Sequence, residues 1–245
     1  LSFTQEGSRL LNLAEDILPK VIETECDLKK GLEEDDNKLG VGIECQSCFR
    51  WLMPVMEQFR QEYPQADLDI SSRHLFDSLN ALEQGELDVV LTSDPVPGQA
   101  IAYQHLFDFE VRLIVASDHP LANERYVTPK QLENLPILSY PVSLERLDLY
   151  KHFIEPAGVQ AGAVIKCDLT MMLLQRIACK DGVAALPNWS INESHGLNLV
   201  SIKLGKEGLR RPLFGAYRRN GPNALLAQHW LAMVAKEGIE RQKLN

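Results

Sequence analysis

The chain has 245 residues, 45% of them apolar, with 34 acidic against 25 basic side chains and a formal net charge of −9. That length suits two modest domains or one long α/β unit, and no apolar run approaches the ~20 residues needed to span a bilayer. An acidic chain repels phosphate backbones, so this polypeptide by itself is a poor nucleic-acid binder.

Five cysteines, at positions 26, 45, 48, 167 and 179, make an odd count in a large chain, so free thiols are expected rather than a disulfide framework. No basic stretch leads into an apolar run with a small-residue cleavage site. A soluble, cytosolic protein with no membrane partner is expected.

Residues 8–30 carry Leu10, Leu11, Ala14, Ile17, Leu18, Val21, Ile22 and Cys26 at spacings of three and four, the apolar stripe of one helix. Pro19 is expected to kink it. One amphipathic helix cannot bury its own stripe, and a second copy of the chain is favoured as its cover over the chain's own domain. The charged run "KKGLEEDDNK" (29–38) reads as a linker.

Strands and helices then alternate. "KLGVGIE" (38–44) is a strand, "SCFRWLMPVMEQFRQEYP" (47–64) a helix, and "ADLDISS" (66–72) a strand. "LFDSLNALEQG" (75–85) is a helix stopped by Gly85, and "LDVVLTSD" (87–94) is apolar enough for a buried parallel strand. This order predicts an open α/β sheet with crossover helices. The run 100–117 is too long for one strand and is expected to bend near Phe109–Arg112 as it leaves the first unit.

A second α/β unit follows: "LPILSYP", a helix "LERLDLYKHFIEPAG", a strand "AVIKCDL", a helix "TMMLLQRIACKDG" and "VAALPNWSI". "RPLFGAYRRN" (211–220) is a second crossing strand and "NALLAQHWLAMVAKEGI" (223–239) a closing helix. Two long crossings and a final helix predict two α/β subdomains joined by a double hinge.

Ligands in such sheets bind beyond the carboxyl ends of the strands, at helix N-termini. Those ends are Glu44–Ser47, Ser71–His74 and Thr92–Asp94 in the first unit, and Ser139–Ser143 and Asp168–Thr170 in the second. All are rich in small polar groups, which serve equally as N-caps.

Several of these stretches resemble a known family. "FTQEG" before a long amphipathic helix resembles the end of the winged helix-turn-helix and the linker helix of LysR-type transcriptional regulators. "FRQEYP", "LEQGELDVVLTS", "VRLIVASDHPLA", "VTPKQLENLPIL", "GVAALP" and "GLNLVSIKL" are similar, in order and spacing, to signposts of that family's effector-binding domain. The resemblance implies a periplasmic-binding-protein-like (type 2) fold of two Rossmann-like subdomains. Residues 38–111 and 213–245 would form one and residues 112–212 the other, behind a linker (31–37) and the linker helix (1–30).

It also implies a homo-oligomer, a dimer of effector domains and a tetramer at full length. The DNA-binding domain would precede Leu1, and RNA polymerase would be a partner. Within the family, "VGIECQSCFRWLMPVMEQF" and "YPVSLERLDLYKHFIEPAGV" resemble the activators of methionine-pathway genes, which implies homocysteine as co-inducer and no other cofactor. Where many family members have Gly after the second strand, this chain has Ser71-Ser72-Arg73-His74.

The cysteines of "ECQSC" admit several readings. Zinc wants four N or S ligands, and no second C-x₂-C and no H-x₃₋₅-H occurs. A redox pair at a helix start would have one lowered thiol pKa, and a cysteine nucleophile would need a base in reach. Cys48 as a buried apolar residue is the plain alternative.

The remaining reading makes Gln46, Ser47 and Cys48 the rim of an effector pocket, as the family's first strand–helix turn is. For homocysteine, backbone N–H groups with the hydroxyls of Ser47 or Thr170 suit the carboxylate. Glu44, Asp94 and Asp168 suit the ammonium, and Phe49, Met171 and Tyr140 suit the thiol end. Ser71, Arg73 and Thr92 complete the expected ligand-binding set. "WLMPVMEQF" is expected to be core, and "EEDD" (33–36) and the arginine pairs 210–211 and 218–219 solvated. Two competing functions are a cysteine-dependent enzyme using Cys45 or Cys48 and a solute-binding protein for transport. The effector-sensing domain of a transcriptional activator, not an enzyme, is the reading the whole chain favours.

Overall fold

The computed structural model describes residues 38–44, 46–71, 73–75, 77–96, 98, 100–194 and 196–242, with residues 4–7, 9, 10, 13, 14 and 17. Of the helix expected over 8–30, residues 9, 10, 13, 14 and 17 are helical. The rest of it, the linker 31–37, Cys26 and Cys45 lie outside the described residues.

β1 (Lys38–Ile43) leads through a 3₁₀ turn (Gln46–Cys48) into α1 (Phe49–Glu62); β2 (Asp67–Ser71), α2 (Ser78–Gln84) and β3 (Val89–Thr92) follow. β1 pairs in parallel with β2 on one side and β3 on the other. α1 buries Trp51, Leu52, Val55 and Phe59, a stripe at helical spacing, against the sheet. α2 stops at Gly85, whose φ of 81° is the left-handed C-cap that glycine adopts without a Cβ penalty. β3 is buried on both faces: Val89 and Leu91 enter the main core, and Val90 enters a smaller one with Ala81, Leu82 and Leu87.

β4 (Ile101–Ala116) is one continuous strand of 16 residues. It does not break where a bend was expected; it changes partners there. Its first part pairs with β10 (Leu209–Arg218) from Ile101 to Val111, and its last part with β8 (Ala184–Pro187) and β9 (Leu199–Leu204) from Val111 or Arg112 onward. A continuous strand satisfies its ladder in two lobes without orphaning a buried backbone group. β5 (Tyr126–Val127) closes the eight-stranded sheet beside β9, while β6 (Ile137–Ser139) and β7 (Val164–Lys166) form a separate parallel pair.

α3 (Thr170–Ala178) buries Leu173, Leu174 and Ile177 with Leu138, Ile114 and Leu186 in the core of the second lobe. α4 (Ala224–Gln242) returns to the first lobe and packs Trp230, Leu231 and Val234 against α1 and the crossing strands. The architecture is thus two α/β lobes joined by β4 and β10.

The single helix expected over 144–158 is not observed. The segment is a 3₁₀ turn (Leu144–Arg146), a π-helical stretch (Tyr150–Ile154) and a second 3₁₀ turn (Glu155–Ala157). Pro156 has no N–H to give, and its ring crowds the carbonyl four residues back, which disfavours a regular α-helical register there. The wider π-helical turn is one way to absorb that mismatch.

Candidate functional site

The carboxyl ends of β1 and β3 meet at one point. Glu44, directly after β1, donates its backbone N–H to the Leu91 carbonyl at 3.1 Å. The buried Thr92 hydroxyl donates to Glu44 Oε2 at 2.5 Å, and the Asp94 N–H donates to Thr92 Oγ1 at 3.1 Å. Three of the expected residues therefore form one bonded group. Burial pushes the Glu44 carboxyl above its usual range, and the bond from Thr92 and the charge of Arg146 work against that rise.

The second lobe brings the matching face. Arg146, in the 3₁₀ turn after β6, reaches Glu44 Oε1 at 3.1 Å. Tyr140 shares a 2.7 Å hydrogen bond with Thr170 Oγ1 at the start of α3. Asp148 is held by Arg211 of β10; burial pushes its carboxyl up, and the guanidinium counters this.

Between these faces lies a cavity of about 130 Å³ lined by Glu44, Asp94, Tyr140, Arg146 and Asp148, with apolar walls that include Phe109, Leu138, Pro187, Trp189 and Leu213. Drug-sized ligand pockets run to about 300–1,000 Å³, so this one suits a small metabolite. Apolar walls with a few convergent charges form the usual composition of a ligand site.

The other expected residues lie elsewhere. Ser47 is fully buried and accepts the Trp189 indole N–H at 3.0 Å, which ties the first strand–helix turn to the segment after β8. Cys48 is fully buried in the main core. Gln46 opens the same 3₁₀ turn. Ser71 ends β2 and Arg73 lies in the turn after it, where the Arg73 N–H donates to Ser71 Oγ at 3.3 Å, and neither lines the cavity. Asp168 is exposed at the end of the loop after β7, Met171 is exposed on α3, and Phe49 is half-buried against the core.

Arg146, Asp148, Trp189 and Arg211 escaped sequence reasoning. Arg211, expected to be solvated, is only 13% exposed at its side chain. In a strand, neighbouring residues face opposite sides, and Arg210 is indeed exposed where Arg211 is not. That alternation was the available signal.

A second concavity lies beside Ser47, Trp51, Trp189 and Glu193. Here burial pushes the Glu193 carboxyl up to about 7, opposed by Arg50. The Arg50 guanidinium donates to the Asn192 carbonyl across the seam. Among the described residues, no group of three His, Cys, Asp or Glu side chains is placed to hold a metal ion. No helix among them is long and apolar enough to cross a membrane.

The model of the LysR substrate binding domain matches residues 33–238. The chain belongs to the LysR substrate-binding domain family. Among its relatives is the HTH-type transcriptional regulator MetR of Salmonella typhimurium, 41% identical over 218 residues, which are 89% of this chain and 68% of that protein. MetR of Escherichia coli strain K12 matches to the same extent.

A solved regulatory domain of MetR, a LysR family regulator from N. meningitidis, superposes with a TM-score of 0.71 at 30% identity, covering 83% of this chain and 94% of that one. The BenM effector-binding domain with its effector benzoate shares the fold, with a TM-score of 0.67 at 19% identity over 85% of this chain and 94% of that one. This LysR substrate-binding domain is accordingly MetR-like, and it is regulatory rather than catalytic.

Proposed function

We propose that the chain is the effector-sensing and oligomerising part of an activator of methionine-pathway genes, and that its inter-lobe cavity binds homocysteine. The single observation that carries the ligand class is the pairing of carboxylates with a guanidinium on an apolar wall. A zwitterionic amino acid fits this pattern. Its carboxylate goes to Arg146, its ammonium to Asp94, and its thiol-bearing tail lies along Phe109 and Leu138. The 41% identity to proteins named MetR supports methionine regulation as the output.

The lobes of this reading are residues 38–111 with 213–245, and 112–212. Ligand contacts to both would favour one inter-lobe state, and a ~1.4 kcal/mol difference in affinity between states shifts their ratio tenfold. The protein works in the cytoplasm as a homo-oligomer, a dimer of effector domains within a tetramer. It contacts DNA through a winged helix-turn-helix outside this segment and acts on RNA polymerase. The HTH naming of the relatives supports the DNA contact, and the exposed Leu10 and Ile17 support helix packing between copies.

Isothermal titration with homocysteine tests the reading. A hydrogen bond to a charged group contributes about 1.5–3 kcal/mol, so Arg146→Met weakens binding at least tenfold. Unchanged affinity in that variant removes the assignment of Arg146 to the ligand carboxylate.

A further inference from the structure

Asp94 follows β3 in the first lobe, and Asp148 lies between β6 and β7 in the second. One guanidinium holds both. Arg211 Nη2 is 2.7 Å from Asp94 Oδ1, and Arg211 Nε is 2.6 Å from Asp148 Oδ1, the latter a charge contact whose N–H is not aligned on the oxygen. The same Nη2 donates to the Ser93 carbonyl at 2.9 Å. Arg211 stands opposite Phe109 on the β4–β10 pair, the two strands by which the chain passes between lobes.

Neighbouring cations do not take this place. Lys151 Nζ is 3.9 Å from Asp94 and 48% exposed, so solvent screens it. His152 is 3.9 Å from Asp148, and burial, then the Arg211 charge, lower its pKa below the usual histidine value. Arg211 remains, with its side chain 87% removed from solvent. Apart from the solvent-screened Lys151, one guanidinium serves two carboxylates, while the adjacent Glu44 is paired with Arg146. Both aspartates line the cavity. A cation in the cavity therefore meets carboxylates contributed by both lobes.

We propose that Arg211 is a positioning residue that fixes Asp94 and Asp148 as a single receptor for the ligand's ammonium, so that an amine in the cavity bridges the two lobes. This rests on the reading of the cavity as an effector site. Arg211 itself need not touch the ligand; it sets the separation of the two carboxylates and carries any change in that separation to the crossing strands. The ligand class follows: a small molecule with a primary ammonium, with the carboxylate of an amino acid as its second handle on Arg146.

Two measurements test it together. The first is a thermal-unfolding cycle on R211M and D94N. If Arg211 joins the lobes, the Tm loss of the double variant falls short of the summed single losses by about 2 °C or more; strictly additive losses overturn the bridge. The second compares homocysteine with its amine-free analogue 4-sulfanylbutanoate by calorimetry. The wild type prefers homocysteine at least tenfold, R211M binds the two nearly alike, and R211K, which keeps the charge without the fork, falls between.

A full preference surviving in folded R211M overturns the proposal while leaving homocysteine as effector. A wild type that binds neither compound removes the homocysteine reading and the ammonium receptor with it. The unfolding cycle still decides whether Arg211 links the lobes.

Discussion

Replacing Ser47 by alanine isolates the seam between the lobes. Ser47 Oγ accepts the Trp189 indole N–H at 3.0 Å, and both residues are buried. Trp189 is further fixed by edge contacts with the rings of Trp51 and Phe107, so the indole cannot swing out to water. Ser47→Ala therefore leaves a buried donor unpaired, which costs about 1–3 kcal/mol.

At about 2–4 °C per kcal/mol for a chain of this size, the Tm falls by about 4–8 °C for a mid-range loss of about 2 kcal/mol. Trp189→Phe removes the donor as well, so adding Ser47→Ala to that variant should cost less than half of its effect in the wild type. Differential scanning calorimetry of the four proteins reads this directly. A Ser47→Ala protein within 1 °C of wild type, or fully additive losses, would refute the claim that this bond holds the lobes together.

Three further outcomes follow from the same geometry. The raised Glu193 pKa means that the folded state holds a proton that the unfolded chain releases, so stability is fully present below the usual carboxylate range and is lost as pH rises through about 7. Glu193→Gln should abolish that part of the Tm–pH profile and raise the Tm at pH 8 relative to wild type. Gly238→Ala places a Cβ against the edge of the Phe107 ring, at Cε1, where α4 lies on β4. The resulting overpacking should destabilise the fold by about 1–3 kcal/mol in urea titrations. Glu44→Gln should leave the fold intact, because Thr92 can still donate to the amide oxygen, yet should weaken homocysteine binding several-fold in calorimetry.

How much was legible in the sequence depended on the range of the interaction that decides each feature. The alternation through β1, α1, β2, α2 and β3 rests on local periodicity and on Gly85, and it was readable. So was the convergence of Glu44, Thr92 and Asp94, because adjacent parallel strands bring their carboxyl ends side by side. The segment 144–158 read as one helix because its apolar spacing is helical, whereas Pro156 sets its actual register.

Arg211 looked like half of a surface pair until β10 was seen to alternate in and out along the crossing. Arg146, Asp148 and Leu213 reach the cavity through long-range pairings, such as Arg146 with Glu44 and Asp148 with Arg211, and no local pattern announces those. The cysteine motif admitted chemistry, a pocket rim or plain burial, and the structure places Cys48 in the core, as the plain alternative had it, while Ser47 beside it ties the lobes.

Hydrogen exchange with and without homocysteine tests the central claim most directly, since the cavity is built from both lobes. The account predicts slowed exchange in two separate places at once: around residues 92–94 at the end of β3, and across residues 137–148 of the second lobe. Protection confined to one lobe, or appearing only at the second concavity beside Glu193, would contradict an effector that bridges the cleft.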